Sequence, residues 1–233
     1  MEFWQGFEAL APDGPRQADM LARMPDGRAL RLPLRDYGEI AVGGLIANQA
    51  SFPVARQLAR WMAEATVPFA PEVVVGLPTL GHVFGSLVAE TLGHRNWVAP
   101  GYSRKLWYEE ALSVPLASST SPGERRMWLD PRLLPRLAGR RVLVVDDVIS
   151  TGRSALAALA LLARAGCMPV AFCVAMAQGD RWRATWPLAM PIVAACATPL
   201  FRRSPEGWLP LEATAPRDIA FPLRHHGETR RTP

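Results

Sequence analysis

The stretch Val142-Leu143-Val144-Val145-Asp146-Asp147-Val148-Ile149-Ser150-Thr151-Gly152-Arg153-Ser154 decides the fold of this chain. Its first four residues are apolar, three of them valine, and they predict a short buried strand. Two carboxylates follow where that strand is expected to end, then a hydroxyl-rich turn, then an alanine- and leucine-rich segment that predicts a helix. Open α/β sheets bind ligands beyond the carboxyl ends of their strands. The stretch therefore places acidic groups and a helix N-terminus where such folds bind substrates.

The turn after the acidic pair has the composition of an anion-binding loop. Gly152 lets the backbone approach a ligand closely, and the N–H groups from Ile149 to Ser154 are expected to point into one concavity at a helix N-terminus. Asp146 and Asp147 repel phosphate, but they suit the vicinal hydroxyls of a sugar, or a divalent cation held by oxygen ligands. The turn also carries hydroxyl donors, at Ser150, Thr151 and Ser154. We therefore expect a site for a phosphorylated sugar.

This stretch resembles the phosphoribosyl-pyrophosphate (PRPP) signature of the type I phosphoribosyltransferases. The resemblance implies that Asp146 and Asp147 hold the ribose hydroxyls of PRPP, directly or through Mg²⁺ bound with the substrate. It also implies that the following loop wraps the 5-phosphate, with Val148, Ile149, Ser150, Thr151, Gly152, Arg153 and Ser154 as its residues. The signature identifies the donor substrate and leaves the acceptor open.

Two other interpretations of the same stretch remain open from the residues alone. Response-regulator receivers also have an acidic pair after an apolar strand, but near the chain start and with a lysine downstream, and here no lysine follows the pair. The other interpretation needs no ligand: a buried strand capped by a solvated acidic turn, with Thr151 as the helix N-cap. The sugar-phosphate interpretation explains more of the residues than either.

A second loop, Gly76 to Gly81, follows the apolar run Val73-Val74-Val75 and precedes a predicted helix. Its glycines have the separation of a Walker A loop, but His82-Val83 stands where Lys and Ser/Thr are required, so a nucleoside-triphosphatase is not expected. The resemblance implies that this loop binds pyrophosphate, through Leu77, Pro78, Thr79, Leu80 and Gly81. Because the loop has no basic residue, its backbone amides would have to bind the anion.

A third segment, Ser103-Arg104-Lys105, opens a long polar stretch and contains the only lysine of the chain. The resemblance, closest here to adenine- and xanthine-type members, implies that Arg104 and Lys105 are catalytic cations of a flexible loop. Tyr108 and residues 118–124 would lie in or beside that loop, which would exclude water from the activated sugar. A solvated surface pair is the alternative interpretation.

The alternation of apolar strands with helical segments predicts an α/β fold, mainly a parallel sheet flanked by helices, with a small accessory hood. We expect helices over 53–65, 82–91 and 153–165, and strands over 73–75, 142–145, 170–176 and 192–197, with a further strand at 96–99. Residues 1–25 are expected to be irregular, 29–34 to form an exposed strand after the Asp26-Gly27 turn, and 101–130 to be loop-like. The predicted domain division is 1–50 as hood, 51–200 as phosphoribosyltransferase core, and 201–233 as a C-terminal segment with a basic tail.

The composition indicates which cellular compartment and which binding partners to expect. The chain has 233 residues, 49% of them hydrophobic, but no run of about 18 apolar residues, so no membrane span is expected. No signal peptide is expected at the N-terminus, and three cysteines without paired spacing fit a reducing cytoplasm. The net charge of +5 and pI of about 9.7 suit a small polyanionic substrate. No nucleic-acid-binding module is recognisable, so the basic cluster at 217–231 is interpreted as a solvated tail.

The resemblance implies an enzyme in which a nitrogen nucleophile attacks C1 of PRPP and pyrophosphate leaves, in a homodimer. A purine base is the expected acceptor, and Ser150, standing where hypoxanthine-guanine enzymes have an acidic residue, argues against that subclass. Two alternatives stay open: a PRPP-sensing regulator, and a transferase for a non-purine acceptor such as orotate.

Overall fold

The chain folds into an α/β layer and an antiparallel sheet, and the computed structural model describes residues 3–10, 14–116, 125–217 and 219–222. In chain order the strands and α-helices are β1 (Phe7–Glu8), β2 (Asp19–Arg23), β3 (Ala29–Asp36), β4 (Ile40–Gly43), α1 (Phe52–Thr66), β5 (Val73–Gly76), α2 (Gly81–Thr91), β6 (Ser113–Pro115), β7 (Arg126–Trp128), α3 (Leu134–Leu137), β8 (Val142–Ile149), α4 (Arg153–Arg164), β9 (Ala171–Gln178), β10 (Ile192–Thr198), β11 (Leu200–Ser204) and β12 (Gly207–Leu211).

A four-stranded parallel sheet with the order β10-β9-β8-β5 forms the centre of the α/β layer. Apart from the acidic pair on β8 and the polar last residues of β9 and β10, its strands are apolar because both faces are covered. Alternate residues enter two cores: Leu143 and Val145 pack with α1, α2 and the antiparallel sheet, whereas Val142 and Val144 pack with α4 and the β6–β7 hairpin. This layering confirms the predicted parallel sheet flanked by helices.

The predicted helices are present, and their ends have the expected chemical signals. At α1, the hydroxyl of Ser51 accepts a hydrogen bond from the N–H of Val54 at 3.3 Å, and Pro53 lies in the first turn. Helices α2 and α4 end shortly before Gly93 and Gly166, whose φ angles are +77° and +68°. The strand expected at 96–99 is reduced to one parallel bridge, between Val98 and Val75.

Strand β8 is longer than the sequence predicts, and the expectation that it ends at Val145 is wrong. Its pairing with β5 ends at Val145, but its pairing with β9 continues to Ile149, which lies opposite Ala177. The acidic pair therefore lies on a strand that still has a neighbour on one side. This second pairing fixes the backbone of Asp146 and Asp147, which a free loop would leave mobile.

The antiparallel sheet combines strands from both ends of the described chain, and we call it the hood sheet. Its order is β1-β3-β4-β11-β12, with β2 paired to β3. The expectation that residues 1–25 are irregular is wrong, because β1 and β2 lie there. Strand β3 is not an exposed strand either: Leu30 and Leu32 are each 1% exposed, since they pack into the core shared with α1.

The segment expected to be a long loop between 101 and 130 contains a hairpin. Strands β6 and β7 pair antiparallel, with Ser113 opposite Trp128, and they pack under α4. Apolar residues at Val114, Met127 and Leu129 are buried here, which the polar residues around them obscure in the sequence. Residues 118–124, expected in the flexible loop, lie outside the described residues. In the described ranges, no helix is long and apolar enough to cross a membrane.

Candidate functional site

Two loops meet at the carboxyl edge of the parallel sheet, where β5 and β8 lie side by side. Gly76 at the end of β5 is opposite Val145, and the next N–H, that of Leu77, donates to the Val145 carbonyl at 2.8 Å. The loop from Leu77 to Gly81 therefore starts one residue away from Asp146. The parallel register thus brings together two segments that are far apart in the sequence.

Gly81, at the start of α2, lies against the acidic pair. A Cβ atom at this position would be 2.6 Å from Oδ1 of Asp146, 2.9 Å from its Cα and 3.1 Å from the Val145 carbonyl oxygen. Side-chain carbons do not approach other atoms so closely, so only glycine allows this contact. Farther along α2, the Cα of Gly85 packs on Gly76 in the same way. The helix is thereby seated directly on β5 and β8.

The acidic pair is buried and electrostatically strained. Asp146 is 7% exposed, and its Oδ1 accepts a hydrogen bond from the backbone N–H of Asp147 at 2.9 Å. Burial raises the pKa of both carboxyls, and the neighbouring charge of Asp147 raises the pKa of Asp146 further. Hydroxyl donors or a cation from a ligand would relieve this cost. The pair is therefore suited to a ligand that brings such groups.

The loop after β8 surrounds a cavity of about 120 Å³ lined by Asp146 and by residues from Val148 to Ala155. The N–H groups of residues 150–154 donate to no other described residue, and Thr151 and Ser154 are exposed at its rim. The N-cap of α4 is Gly152, with φ of +79°, and not Thr151, so the ligand-free interpretation of this turn as a threonine-capped helix is wrong. The cavity has the free donors that an anion requires.

The hydroxyl of Ser150, a residue that also lines the cavity, belongs to a hydrogen-bond network that the sequence did not reveal. This hydroxyl donates to Oε1 of Gln178 at 2.6 Å and accepts from Nη2 of Arg181 at 2.7 Å. The amide of Gln178, which is 6% exposed, donates to the carbonyl of Gly43 in the hood sheet at 2.7 Å. The anion loop, the end of β9 and the hood sheet are thus connected. In the sequence the only signal was a polar residue ending an apolar strand.

Replacing Gln178 by methionine should lower the free energy of unfolding by about 2 kcal/mol, because the Gly43 carbonyl and the Ser150 hydroxyl lose a buried partner. Urea unfolding measures this. The matched control is Gln17→Met, since the Gln17 amide also donates to a backbone carbonyl, that of Glu206, but at an exposed position. The control should change the free energy by less than about 0.5 kcal/mol. Equal losses would contradict the role given to the buried network.

The second loop offers fewer free amides than the sequence predicts. The N–H of Leu77 is already used by Val145, and its side chain is fully buried, so Leu77 has no group left for an anion. Pro78 has no N–H, and the Pro78–Thr79 peptide bond is cis. Thr79, Leu80 and Gly81 keep N–H groups that donate to no other described residue. An anion at this loop would therefore meet the last three residues.

Arg104 and Lys105 are not in contact with the acidic pair. Both are exposed, and the Arg104 guanidinium lies 3.6 Å from the Glu110 carboxylate and over the ring of Trp128. Tyr102, which the sequence did not single out, is the residue of this segment that reaches the second loop. Its hydroxyl donates to the Pro78 carbonyl at 2.7 Å.

Two adjacent carboxylates, those of Asp146 and Asp147, are the candidate metal ligands of the site. Among the described residues, no group of three His, Cys, Asp or Glu side chains has the arrangement of a metal site. Mg²⁺ commonly binds through one or two carboxylates together with substrate phosphates and water. Asp146 and Asp147 fit that pattern and do not form a metal cage of their own.

The part of the chain that contains this site matches a known protein family. The phosphoribosyl transferase domain matches residues 42–186, which include β5, β8, both loops and Arg104-Lys105. The chain belongs to the phosphoribosyltransferase family. Both predicted loops and the acidic pair lie within the region that defines the family.

Relatives within the family include adenine phosphoribosyltransferases. The chain is 34% identical to the one from Erythrobacter litoralis over 109 residues, 46% of this chain and 57% of the relative. It thus spans a little over half the length of that relative. Among solved structures, the adenine phosphoribosyltransferase from Rhodothermus marinus has 23% identity and a TM-score of 0.52, covering 63% of this chain and 81% of its own. The enzyme from Thermoanaerobacter pseudethanolicus has 20% identity and a TM-score of 0.53, covering 62% and 81%. Both structures share the fold.

Proposed function

We propose that this protein transfers the 5-phosphoribosyl group from PRPP to a nitrogen of a purine base and releases pyrophosphate. The observation that carries the proposal is the contact of Gly81 with Asp146. Through it, the second loop, the acidic pair and the anion cavity after β8 form one continuous site at the sheet edge.

Each part of this site matches one part of PRPP. The cavity of residues 148–154 would bind the 5-phosphate, through free N–H groups and the hydroxyls of Thr151 and Ser154. Asp146 and Asp147 would accept hydrogen bonds from the ribose hydroxyls, which relieves the cost of their burial. The N–H groups of Thr79 to Gly81 would bind pyrophosphate. The distribution of acidic and amide groups over the site therefore follows the distribution of hydroxyls and phosphates over the substrate.

Magnesium is proposed as the companion of the substrate, held by the carboxylates of Asp146 and Asp147. When bound, it would neutralise phosphate charge. The protein itself orients the sugar between its two loops, which lowers the barrier by positioning. In the reaction, the bond between C1 and the pyrophosphate oxygen breaks, a bond between C1 and the acceptor nitrogen forms, and the proton of that nitrogen passes to pyrophosphate or to solvent. Arg104 and Lys105 are proposed to approach the leaving pyrophosphate, whose negative charge grows as its bond breaks.

Adenine is the purine that we favour as acceptor. The curated relative from Erythrobacter litoralis is an adenine phosphoribosyltransferase. The Ser150 hydroxyl is engaged by Gln178 and Arg181, so this position offers no acidic partner to a base. We propose that the hood sheet, contributed by residues 1–50 and by the segment after 200, covers the acceptor side, since Gly43 lies within hydrogen-bond reach of the site network. Residues 51–200 would then be the donor-binding core.

The test is turnover with a panel of acceptors. The protein is incubated with PRPP, Mg²⁺ and adenine, hypoxanthine, guanine, xanthine or orotate, and both pyrophosphate and the nucleotide are quantified. We expect pyrophosphate and AMP with adenine. Turnover with orotate alone would replace the purine by a non-purine acceptor. PRPP binding without turnover on any base would favour a sensor, and absence of PRPP binding would contradict the proposal.

Two proposals concern the setting of the protein. We propose a reducing compartment such as the cytoplasm, which the three cysteines support because all of them are buried and unpaired. The homodimer implied by the family resemblance stays a prediction. Sedimentation equilibrium of the purified protein measures it, and a monomer at all concentrations would contradict it.

A further inference from the structure

The pyrophosphate side of the proposed site lacks positive charge. The loop from Leu77 to Gly81 contains no basic residue, and Gly81 touches the carboxylate of Asp146. Pyrophosphate bound there would meet backbone amides beside a buried negative group, and like charges repel. A cation close to this loop is therefore required, and Arg104 is turned toward the Glu110 carboxylate.

The structure places another cation near this loop, at Arg125, the residue immediately before β7. The guanidinium carbon of Arg125 lies 3.6 Å from the centre of the Tyr102 ring, so the two groups are stacked. The Tyr102 hydroxyl in turn donates to the Pro78 carbonyl of the loop. Arg125 is exposed, and within the described part of the chain it has no carboxylate partner. Its donors are thus available to a ligand.

The charges of Arg125 and of the acidic pair both act on the phenol of Tyr102. Burial raises the pKa of the Tyr102 phenol, the charge of Arg125 lowers it, and the charges of Asp146 and Asp147 raise it again. Tyr102 therefore lies within reach of both the cation and the two anions. An anion bound beside Pro78 and Thr79 would therefore lie near Tyr102 and the guanidinium of Arg125.

We propose that Arg125, held on the ring of Tyr102, is a binding residue for the pyrophosphate group of PRPP and supplies the charge that the second loop lacks. This inference rests on the proposed function. A guanidinium is suited to the role because its planar set of donors matches two phosphate oxygens at once and it remains charged when stacked on an aromatic ring. Tyr102 is a positioning residue: it fixes the stacked cation relative to the loop backbone.

The test compares ligands that contain different parts of PRPP. Dissociation constants for PRPP, pyrophosphate and ribose 5-phosphate, each with Mg²⁺, are measured by titration calorimetry on the full chain. Arg125→Ala should raise the dissociation constants of PRPP and of pyrophosphate by about tenfold or more, because charge-assisted bonds to one phosphate group are lost. The dissociation constant of ribose 5-phosphate should not change. Arg125→Lys should recover part of the affinity. Tyr102→Phe keeps the ring but loses the bond to Pro78; it should weaken the binding of PRPP and of pyrophosphate, by less than Arg125→Ala does, and leave the binding of ribose 5-phosphate unchanged.

The control is Arg95→Ala, with the same change in charge, at an exposed arginine beyond the end of α2, where the neighbouring His94 contacts the Pro71 carbonyl before the amino end of β5. It should alter none of the three constants. Equal weakening of pyrophosphate and ribose 5-phosphate in Arg125→Ala, or no weakening at all, would overturn the role of Arg125 while leaving the proposed function intact. If the unaltered protein binds neither PRPP nor ribose 5-phosphate, the proposed function itself is wrong. Retained ribose 5-phosphate binding also shows that a variant is folded.

Discussion

The double substitution Asp146→Asn, Asp147→Asn should abolish PRPP binding, with at least a hundredfold loss of affinity in titration calorimetry. Asparagine keeps the size of the side chain but loses the charge that a sugar hydroxyl or Mg²⁺ would meet. The matched control is Asp26→Asn, Asp36→Asn, which changes the net charge equally at two exposed positions of the hood sheet, the turn before β3 and the end of β3. The control should bind normally. Unchanged PRPP affinity in the Asp146, Asp147 variant would refute the sugar-hydroxyl role.

The same double variant should be more stable than the natural protein in the absence of ligand. Burial raises the folded-state pKa of Asp146 above its ordinary value of 3.8. Ionisation therefore opposes folding. The cost is absent below a pH of about 3.8, grows as the pH rises from there to the folded-state pKa, and is constant above it. At pH 8 we expect the variant to have a higher unfolding free energy than the natural protein, and at pH 3 we expect no gain. A loss of stability at pH 8 would contradict the strain assigned to the pair.

Gly81→Ala should disable the site through packing alone. The new methyl carbon would lie 2.6 Å from Asp146 Oδ1 and 2.9 Å from its Cα, so the start of α2 must move away from β8. We expect a loss of about 1–3 kcal/mol in unfolding free energy, typical of overpacking. We also expect PRPP binding to fall below detection, because the pyrophosphate loop moves with the helix. Urea unfolding and calorimetry measure the two effects.

Two further glycine variants separate these effects. Gly6→Ala is the control, since nothing lies within 4 Å of the added carbon, and it should change neither quantity. Gly85→Ala places a carbon 2.7 Å from the Cα of Gly76, which crowds α2 against β5 without touching Asp146. It should cost similar stability but less PRPP affinity. Equal affinity losses in Gly81→Ala and Gly85→Ala would show that general loosening of the helix, and not its contact with Asp146, decides binding.

The parts of the fold that the sequence predicts are those with a local signal. Val142 to Val145 are apolar because both faces of a parallel strand are buried, and Gly93 and Gly166 mark helix ends by their positive φ. The extension of β8 to Ile149 has no such signal, because it depends on pairing with β9. The accessory hood is predicted, but the pairing of β4 with β11 within it is not, because the strands of the parallel sheet lie between these two strands in the sequence.

In the candidate site, too, the features with a local sequence signal are predicted and those that depend on contacts between distant segments are not. The acidic pair and the loop ending at Ser154 are contiguous, so composition alone indicates their chemistry. The N–H of Leu77 donates to the Val145 carbonyl and is not available to a ligand, and Arg125 stacks on Tyr102. Both contacts join segments that are distant in the sequence, so no local pattern predicts them. A sequence predicts which groups are present near a site; packing decides which of them stay free for a ligand.

The pairing of β4 with β11 also sets an order on biosynthesis. Strands β1 to β4 are translated first, and β4 can pair with β3, but its second partner, β11, follows only after the last strand of the parallel sheet. The donor-binding edge can therefore fold on the ribosome before the hood sheet is complete, as domains commonly do during translation. Until β11 emerges, β4 presents an open edge to which other chains can bind. The nascent chain is thus most exposed to aggregation in the interval between β4 and β11.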